Sequence, residues 1–303
     1  MYCYLRLSCN KLMLLRRLKQ ALFVCFIGLS VCRPVRAQES YFVTYSHQME
    51  DPGDLELETK NVTGSPAGGN SFAGSTLAFE YGLKRWWTSE VYLDGQSTAG
   101  ESTLFTGFRF ENRFRPLLKE HWINPLLYAE FEDLNAADKA LLEVVGHDTR
   151  QDFLSRNNRR ERKREAELRI ILSSNIKGWN VSENIIAEKN LAGDPWEFGY
   201  ALGATRVLAI RASPNPCVLC LRNFDAGLEM YGGLGDRYSF GIHNTSHYLA
   251  PIMGWRVPHR VTFKLSPGFG LNDDSHLFLL RFGVSYEVED IASKLRERYH
   301  HNR

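Results

Sequence analysis

The sequence predicts an all-β protein, a closed antiparallel transmembrane barrel of about 12 strands. Three observations carry that expectation. The chain opens with the layout of an export signal, its remainder alternates apolar and polar residues with period two, and its six tryptophans fall at or near the ends of the alternating segments. Bulk properties exclude little: 303 residues can bury a large core, and a net charge of +2 gives no reason to expect nucleic acid as a partner.

At the N-terminus Lys11, Arg16, Arg17 and Lys19 precede the apolar run ALFVCFIGLSV, Ala21 to Val31. A basic region followed by a hydrophobic one of about 7 to 15 residues is a secretory signal. Val35-Arg36-Ala37 is an imperfect A-x-A cleavage site, so residues 1–37 are expected to be removed and the mature chain to start near Gln38. The run is shorter than the roughly 20 residues of a spanning helix, which argues against a retained anchor. A lipoprotein site ending at Cys32 would want Gly or Ala where Val31 stands.

Cys3, Cys9, Cys25 and Cys32 leave with the signal, and Cys217 and Cys220 remain in SPNPCVLCLRN, whose prolines mark a loop. No second CxxC or CxxH accompanies them. In an exported, oxidised chain the expectation is a local disulfide rather than a metal or redox site.

From residue 41 onward, segments of about 9 to 13 residues alternate and are separated by Gly, Asn, Asp and Pro clusters, the signal for strands joined by turns. The candidates run, in order, near 41–48, 54–63, 72–83, 85–96, 103–115, 122–134, 165–176, 179–189, 194–208, 222–233, 245–256, 258–270 and 276–288. In 276–288, Phe278, Leu280, Phe282, Val284, Tyr286 and Val288 oppose Arg281, Gly283, Ser285 and Glu287. Single-chain bacterial barrels close with even strand numbers, so one or two candidates are set aside as loop or plug and about 12 strands are expected across 38–288.

Between 134 and 165 the pattern breaks into better helix formers and a basic run, Arg156, Arg159, Arg160, Arg162, Lys163 and Arg164. It reads as a charged, solvated excursion, or as a patch for anionic lipid headgroups or lipopolysaccharide phosphates. The tail, 289–303, is polar and suggests no function.

The choice of a membrane barrel over a soluble sheet rests on what occupies each face. The non-apolar face carries Gly74, Ala78, Gly107, Gly199, Ala201, Gly203, Gly227 and Gly283 among isolated charges. Small residues suit a crowded, curved interior. Trp86, Trp87, Trp122, Trp179 and Trp196 stand at or near strand starts and Trp255 at a strand end, where the indole meets a membrane interface. In hydrocarbon every backbone N–H and C=O needs an internal partner, so strands can cross only as a closed barrel.

With its export signal and strands such as TLFTGFRFENRF and HLFLLRFGVSYEV, the chain resembles bacterial outer-membrane β-barrel proteins over nearly all of 41–288. The resemblance is one of class and implies the outer membrane as location and lipid as surroundings. Such barrels often end at an aromatic on the final strand; here about fifteen polar residues follow it.

Parity assigns to the interior Glu80, Glu90, Asp94, Arg109, Glu111, Arg113, Tyr128, Glu130, Glu132, Glu167, Arg169, Glu197, Asp225, Glu229, Arg281 and Glu287. In TLFTGFRFENRFRP it assigns Leu104, Phe108, Phe110 and Phe114 to lipid. Acidic residues outnumber basic ones, so the lining either pairs into salt-bridged layers that block the lumen or leaves a narrow, cation-favouring path.

In FGIHNTSHY, His243, Ser246 and His247 hint at a lipid-active hydrolase, in which His activates the Ser hydroxyl. His243 and Ser246 are three apart, however, and face opposite sides of a regular strand, while Ser246 and His247 are adjacent. YGGLGDR and SPAGGN precede no helix and read as turns. No metal-ligand spacing or cofactor motif stands out. The expected function is a channel or passive transporter for small solutes, or a structural barrel with a salt-bridged lumen. Its rivals are a hydrolase using Ser246 with His243 or His247, and a soluble exported barrel binding a hydrophobic ligand. Oligomeric state is not readable.

Overall fold

A computed structural model describes residues 41–64, 70–100, 102–136, 138, 145–146, 161–209, 217–257, 261–291 and 293–294. The expected signal over 1–37, most of the charged excursion with Arg156, Arg159 and Arg160, and the end of the polar tail lie outside them.

Alternation builds the wall. The strands are β1 (Leu55–Gly64), β2 (Phe72–Lys84), β3 (Trp87–Thr98), β4 (Ser102–Phe114), β5 (Asn124–Asn135), β6 (Arg162–Ile176), β7 (Trp179–Asn190), β8 (Trp196–Val207), β9 (Phe224–Asp236), β10 (His247–Val257), β11 (Val261–Gly270) and β12 (Phe278–Val288). Each pairs antiparallel with its sequence neighbour, and β1 pairs with β12 from Leu55–Val288 to Gly64–Leu279, closing a 12-strand barrel without an edge. The end at which β1 begins and β12 finishes is called here the terminal mouth, and its opposite the far mouth.

Burial follows parity. Leu77, Val91, Leu93, Phe108, Phe110, Leu127, Phe131, Leu168, Ile170, Ile185 and Phe282 are exposed on the outer surface, while their sequence neighbours are buried. An apolar belt of this extent suits lipid. The soluble ligand-binding reading, which needs the apolar faces inside, does not fit it. At the terminal mouth Trp86 and Trp87 stack with Phe114, and Trp255 stacks between Phe224 and Phe263, with ring centroids 5.9 and 5.4 Å away. Trp196 stands at the far mouth, where Phe269 packs on Phe278. Aromatics therefore band both interfaces.

Three expectations are corrected. The alternating segment 41–48 is not a strand: it enters the lumen and is held by the wall. Leu104 does not share the lipid face of Phe108. The β3–β4 register shifts at Asp94/Gly95, so that Asp94 faces Gly107 and Gly95 faces Phe105. The extra residue flips parity, placing Phe105 outside and Leu104 opposite buried Gln96. Gly107 permits the bulge, because a Cβ there would come within 2.1 Å of the Asp133 carbonyl oxygen. Finally, Leu134–Asn135 and Arg162–Glu165 are not part of a helical excursion; they are the paired ends of β5 and β6. Arg162 and Arg164 project outward there and share Asp133, with Arg162 Nη2 2.7 Å and Arg164 Nε 3.3 Å from its carboxylate.

An outer-face charge at mid-strand is expected to be costly. Phe108→Arg should lower the unfolding free energy in phospholipid vesicles by about 2–4 kcal/mol, whereas Arg164→Ala, above the apolar belt, should change it little. Urea titrations of vesicle-folded protein check both.

Candidate functional site: a plugged, charge-lined lumen

Inside the barrel, strands β2 to β6, β8, β9 and β12 present the residues that parity directs inward. Glu90, Asp94, Arg109, Glu111, Arg113, Tyr128, Glu130, Glu132, Glu167, Arg169, Asp225, Glu229 and Arg281 are buried, and Glu80, Glu197 and Glu287 are half-buried. The arginines hold the carboxylates in layers. Arg109 reaches Asp94 at 3.0 Å and Glu130 at 3.4 Å, with its guanidinium 4.0 Å from the Tyr92 ring centre. Arg113 turns back to β2 and β3, contacting Glu80 and, at 3.3 Å, Glu90, and it also meets Glu111 of its own strand at 2.8 Å. It does so because the register sets Tyr128, not an acid, opposite it on β5. Arg169 pairs with Glu167.

On the other side Arg256 meets Asp225 at 3.4 Å and Arg281 donates to the Tyr231 hydroxyl. Lys60 and Lys264, which sequence reasoning passed over, both contact Glu58, and Lys60 also lies 3.9 Å from Glu90. The alternation of LELETK in β1 was the signal that could have found Glu58 and Lys60.

Across this lining lies the N-terminal segment. Glu229 Oε1 accepts three successive backbone N–H groups, from Phe42 (3.2 Å), Val43 (2.9 Å) and Thr44 (2.7 Å). A concave run of amides around one anionic oxygen is an anion nest, here with the anion supplied by the wall. Asn184 takes the next peptide on both sides, accepting from Tyr45 N at 2.7 Å and donating to Tyr45 O at 2.8 Å, and Ser182 donates to the same carbonyl. Arg169 donates to Val43 O at 3.1 Å.

The Tyr45 side chain fills the middle of the lumen. Its hydroxyl is 3.0 Å from both Tyr92 OH and Glu111, its ring packs on Tyr128 at 5.2 Å, and Arg113 and Arg169 stand 5.3 and 5.1 Å from the ring centre. Nearer the terminal mouth, His47 bonds Ser173 at 2.8 Å and Glu120 at 3.3 Å. Burial pushes its imidazole below the ordinary range, against the pull of Glu120. The far half holds an apolar cluster of Val62, Phe72, Val145, Ile186, Tyr231 and Leu279, with Val43 against it.

Side chains that could hold a cation are carboxylates. Glu50, Asp54 and Glu287 converge at the terminal mouth, as do Glu50, Glu56 and Glu80, while Glu132, Glu167 and Glu188 converge in the buried wall.

The hydrolase residues do not converge. Ser246 Oγ donates to the Asp274 carbonyl at 2.9 Å, and His247 has its ring nitrogens on Tyr200 OH (3.0 Å) and Thr245 Oγ1 (2.8 Å). His243 is exposed in the β9–β10 connection. Cys217 and Cys220 are joined by a disulfide at the terminal end, where Val218 O accepts from the Trp255 indole at 3.1 Å.

No protein-family model matches the chain, and no curated protein is similar to it in sequence. Among solved structures, an outer-membrane channel from Pseudomonas putida F1 aligns with a TM-score of 0.51 at 9% identity, over 80% of this chain and 97% of that one. The fold is that of an outer-membrane β-barrel. The KdgM porin aligns at 0.47 with 8% identity, over 76% and 98% of the two chains. The outer-membrane phospholipase A of Escherichia coli aligns at 0.39 with 11% identity, over 84% and 95%.

The root of the plug carries a pH dependence. Burial first, then the neighbouring charges of Glu80 and Glu56, pushes the Glu50 carboxyl up from 4.5 to about 10. The folded state therefore binds this proton more tightly than the unfolded chain. The stability contributed is full below about pH 4.5 and is lost progressively as pH rises toward about 10. Amide exchange at residues 48–54 should accelerate over that window, and Glu50→Gln should flatten the slope.

Proposed function

We propose that this protein is an outer-membrane channel or passive transporter for small solutes, held closed by its own N-terminal segment. The observation that carries the reading is the mode of attachment of residues 42–45. They cross the lumen on side-chain bonds to Glu229, Asn184, Ser182 and Arg169 rather than on a strand ladder. Such bonds can be exchanged for water when the segment withdraws, and the wall keeps its own hydrogen bonds throughout. Both chain termini of such barrels face the periplasm, where connections are short. The tight turns at 85–86 and 177–178 lie at the terminal mouth, which supports insertion of the plug from the periplasmic side.

A sealed barrel with a structural role is the second reading, favoured by the ion pairs of Arg109, Arg113 and Arg169. A hydrolase centred on Ser246 gains no support from the contacts of Ser246 and His247.

Planar-bilayer recording separates the first two. The intact protein should be closed most of the time, and Glu229→Ala, which strips the nest from three amides, should raise the open fraction at least tenfold. Silence of both proteins, each folded by heat-modifiable migration, would leave the structural barrel. Retained lipid hydrolysis activity, lost on Ser246→Ala, would instead restore the enzyme.

A further inference from the structure

The strand register holds a pattern that runs from one mouth to the other. Glu56 on β1 stands opposite Glu287 on β12 and Glu80 on β2; Glu80 stands opposite Glu90, and Glu90 opposite Glu111. The same lateral row continues from Glu111 to Glu130 on β5, Glu167 on β6, Glu188 on β7 and Glu197 on β8. Each glutamate is directly across from the next, and all are on the inner face. Because barrel strands tilt, a row perpendicular to them climbs along the barrel axis. It leaves the terminal mouth at Glu287, one residue from the end of β12, and reaches the far mouth at Glu197, the second residue of β8. Glu287 and Glu80 toward one end and Glu197 at the other are half-buried, and Glu90 through Glu188 are buried, as a row passing between two openings requires.

Like charges directly across a strand pair repel, so an unbroken row of glutamates needs compensation. Some comes from the rows on either side: Arg113 serves Glu80, Glu90 and Glu111, Arg109 serves Glu130, and Arg169 serves Glu167. The balance is still acidic. Among the described residues twelve buried inward carboxylates face five buried Lys and Arg side chains, Arg109, Arg113, Arg169, Lys264 and Arg281, together with half-buried Lys60 and Arg256, so the interior has affinity for positive charge left over. An independent side chain points the same way. Glu132, outside the row and 1% exposed, has a carboxylate oxygen, Oε1, with no hydrogen-bond partner, and its carboxylate gathers with those of Glu167 and Glu188 within 4.8 Å.

We infer that the glutamate row is a cation path: once the plug withdraws, the channel passes small inorganic cations in preference to anions, with a cation-holding step at Glu132, Glu167 and Glu188. This inference rests on the channel reading above and names its solute class. Carboxylate linings select cations because the ion meets oxygen ligands and negative potential where an anion meets repulsion, most strongly in a narrow, low-dielectric lumen.

Two measurements test it. In bilayers with a tenfold KCl gradient, Glu229→Ala channels should reverse near the potassium potential, with K⁺ favoured over Cl⁻ at least about fivefold. Adding Glu132→Gln and Glu188→Gln, isosteric changes that leave Glu90, Glu111, Glu130 and Glu167 in place, should cut that ratio at least threefold. Reversal near zero or on the anion side, or a ratio unmoved by the Gln pair, overturns the inference while leaving the channel reading intact. If no current flows, the channel reading fails and the site is decided by terbium binding to the folded barrel in detergent. Saturable emission sensitised by the lumen tyrosines, lost in the Gln pair, supports a cation site; emission equal in both proteins, or none, overturns it.

Discussion

Every part of this structure depends on the need to satisfy the backbone inside hydrocarbon. A strand in lipid has no water to bond, so its N–H and C=O groups must all find protein partners. Pairing β1 to β12 along Leu55–Gly64 removes the last edge. Closure then fixes the meaning of alternation. Outward positions in the belt are mostly apolar because they touch lipid, with exceptions such as Asn61 and Ser75, which bond each other, and most charged side chains are directed inward. The charges that look misplaced in GFRFENRF are there because lipid occupies the other side.

Forcing charges inward creates the second problem, a lumen lined by buried carboxylates. Four arginines, two lysines and the tyrosine hydroxyls take up part of the charge, and the N-terminal segment contributes backbone dipoles. Glu229 shows the economy of this arrangement: one buried carboxylate oxygen, which would be costly if unpaired, is satisfied by three amides that would be costly unpaired themselves. Plug and wall therefore satisfy each other, and either alone would leave buried groups to be hydrated. That mutual dependence couples closure of the lumen to its charge.

The fold class was legible because period two assigns each residue of a regular strand to one face, so Arg109 and Phe110 can be told apart without coordinates. The same rule misleads where the strand is irregular or absent. YFVTYSHQ alternates as well as β1 does, and nothing local distinguishes a strand from a segment whose polar atoms are met by Glu229, Asn184 and His47's partners. At Thr106–Gly107 one extra residue reverses the faces, which exchanges Leu104 for Phe105. Charge near 162–164 masked a strand end, because β6 extends past the apolar belt, where its arginines are met by Asp133 and the Thr106 carbonyl. Partner choice was illegible for a further reason. Which acid Arg113 meets depends on register across three strands, and register is set by closure of the whole barrel.

Residues 42–45 sit inside the lumen and are bonded to the wall. Amide hydrogen exchange on the folded barrel in detergent, resolved to single residues, tests this placement most directly. The amides of Phe42, Val43, Thr44 and Tyr45 should be protected nearly as well as those of β7 and β9, and Glu229→Ala should release the first three. Exchange of all four at the rate of an unstructured peptide, in a barrel whose strands remain protected, would contradict it.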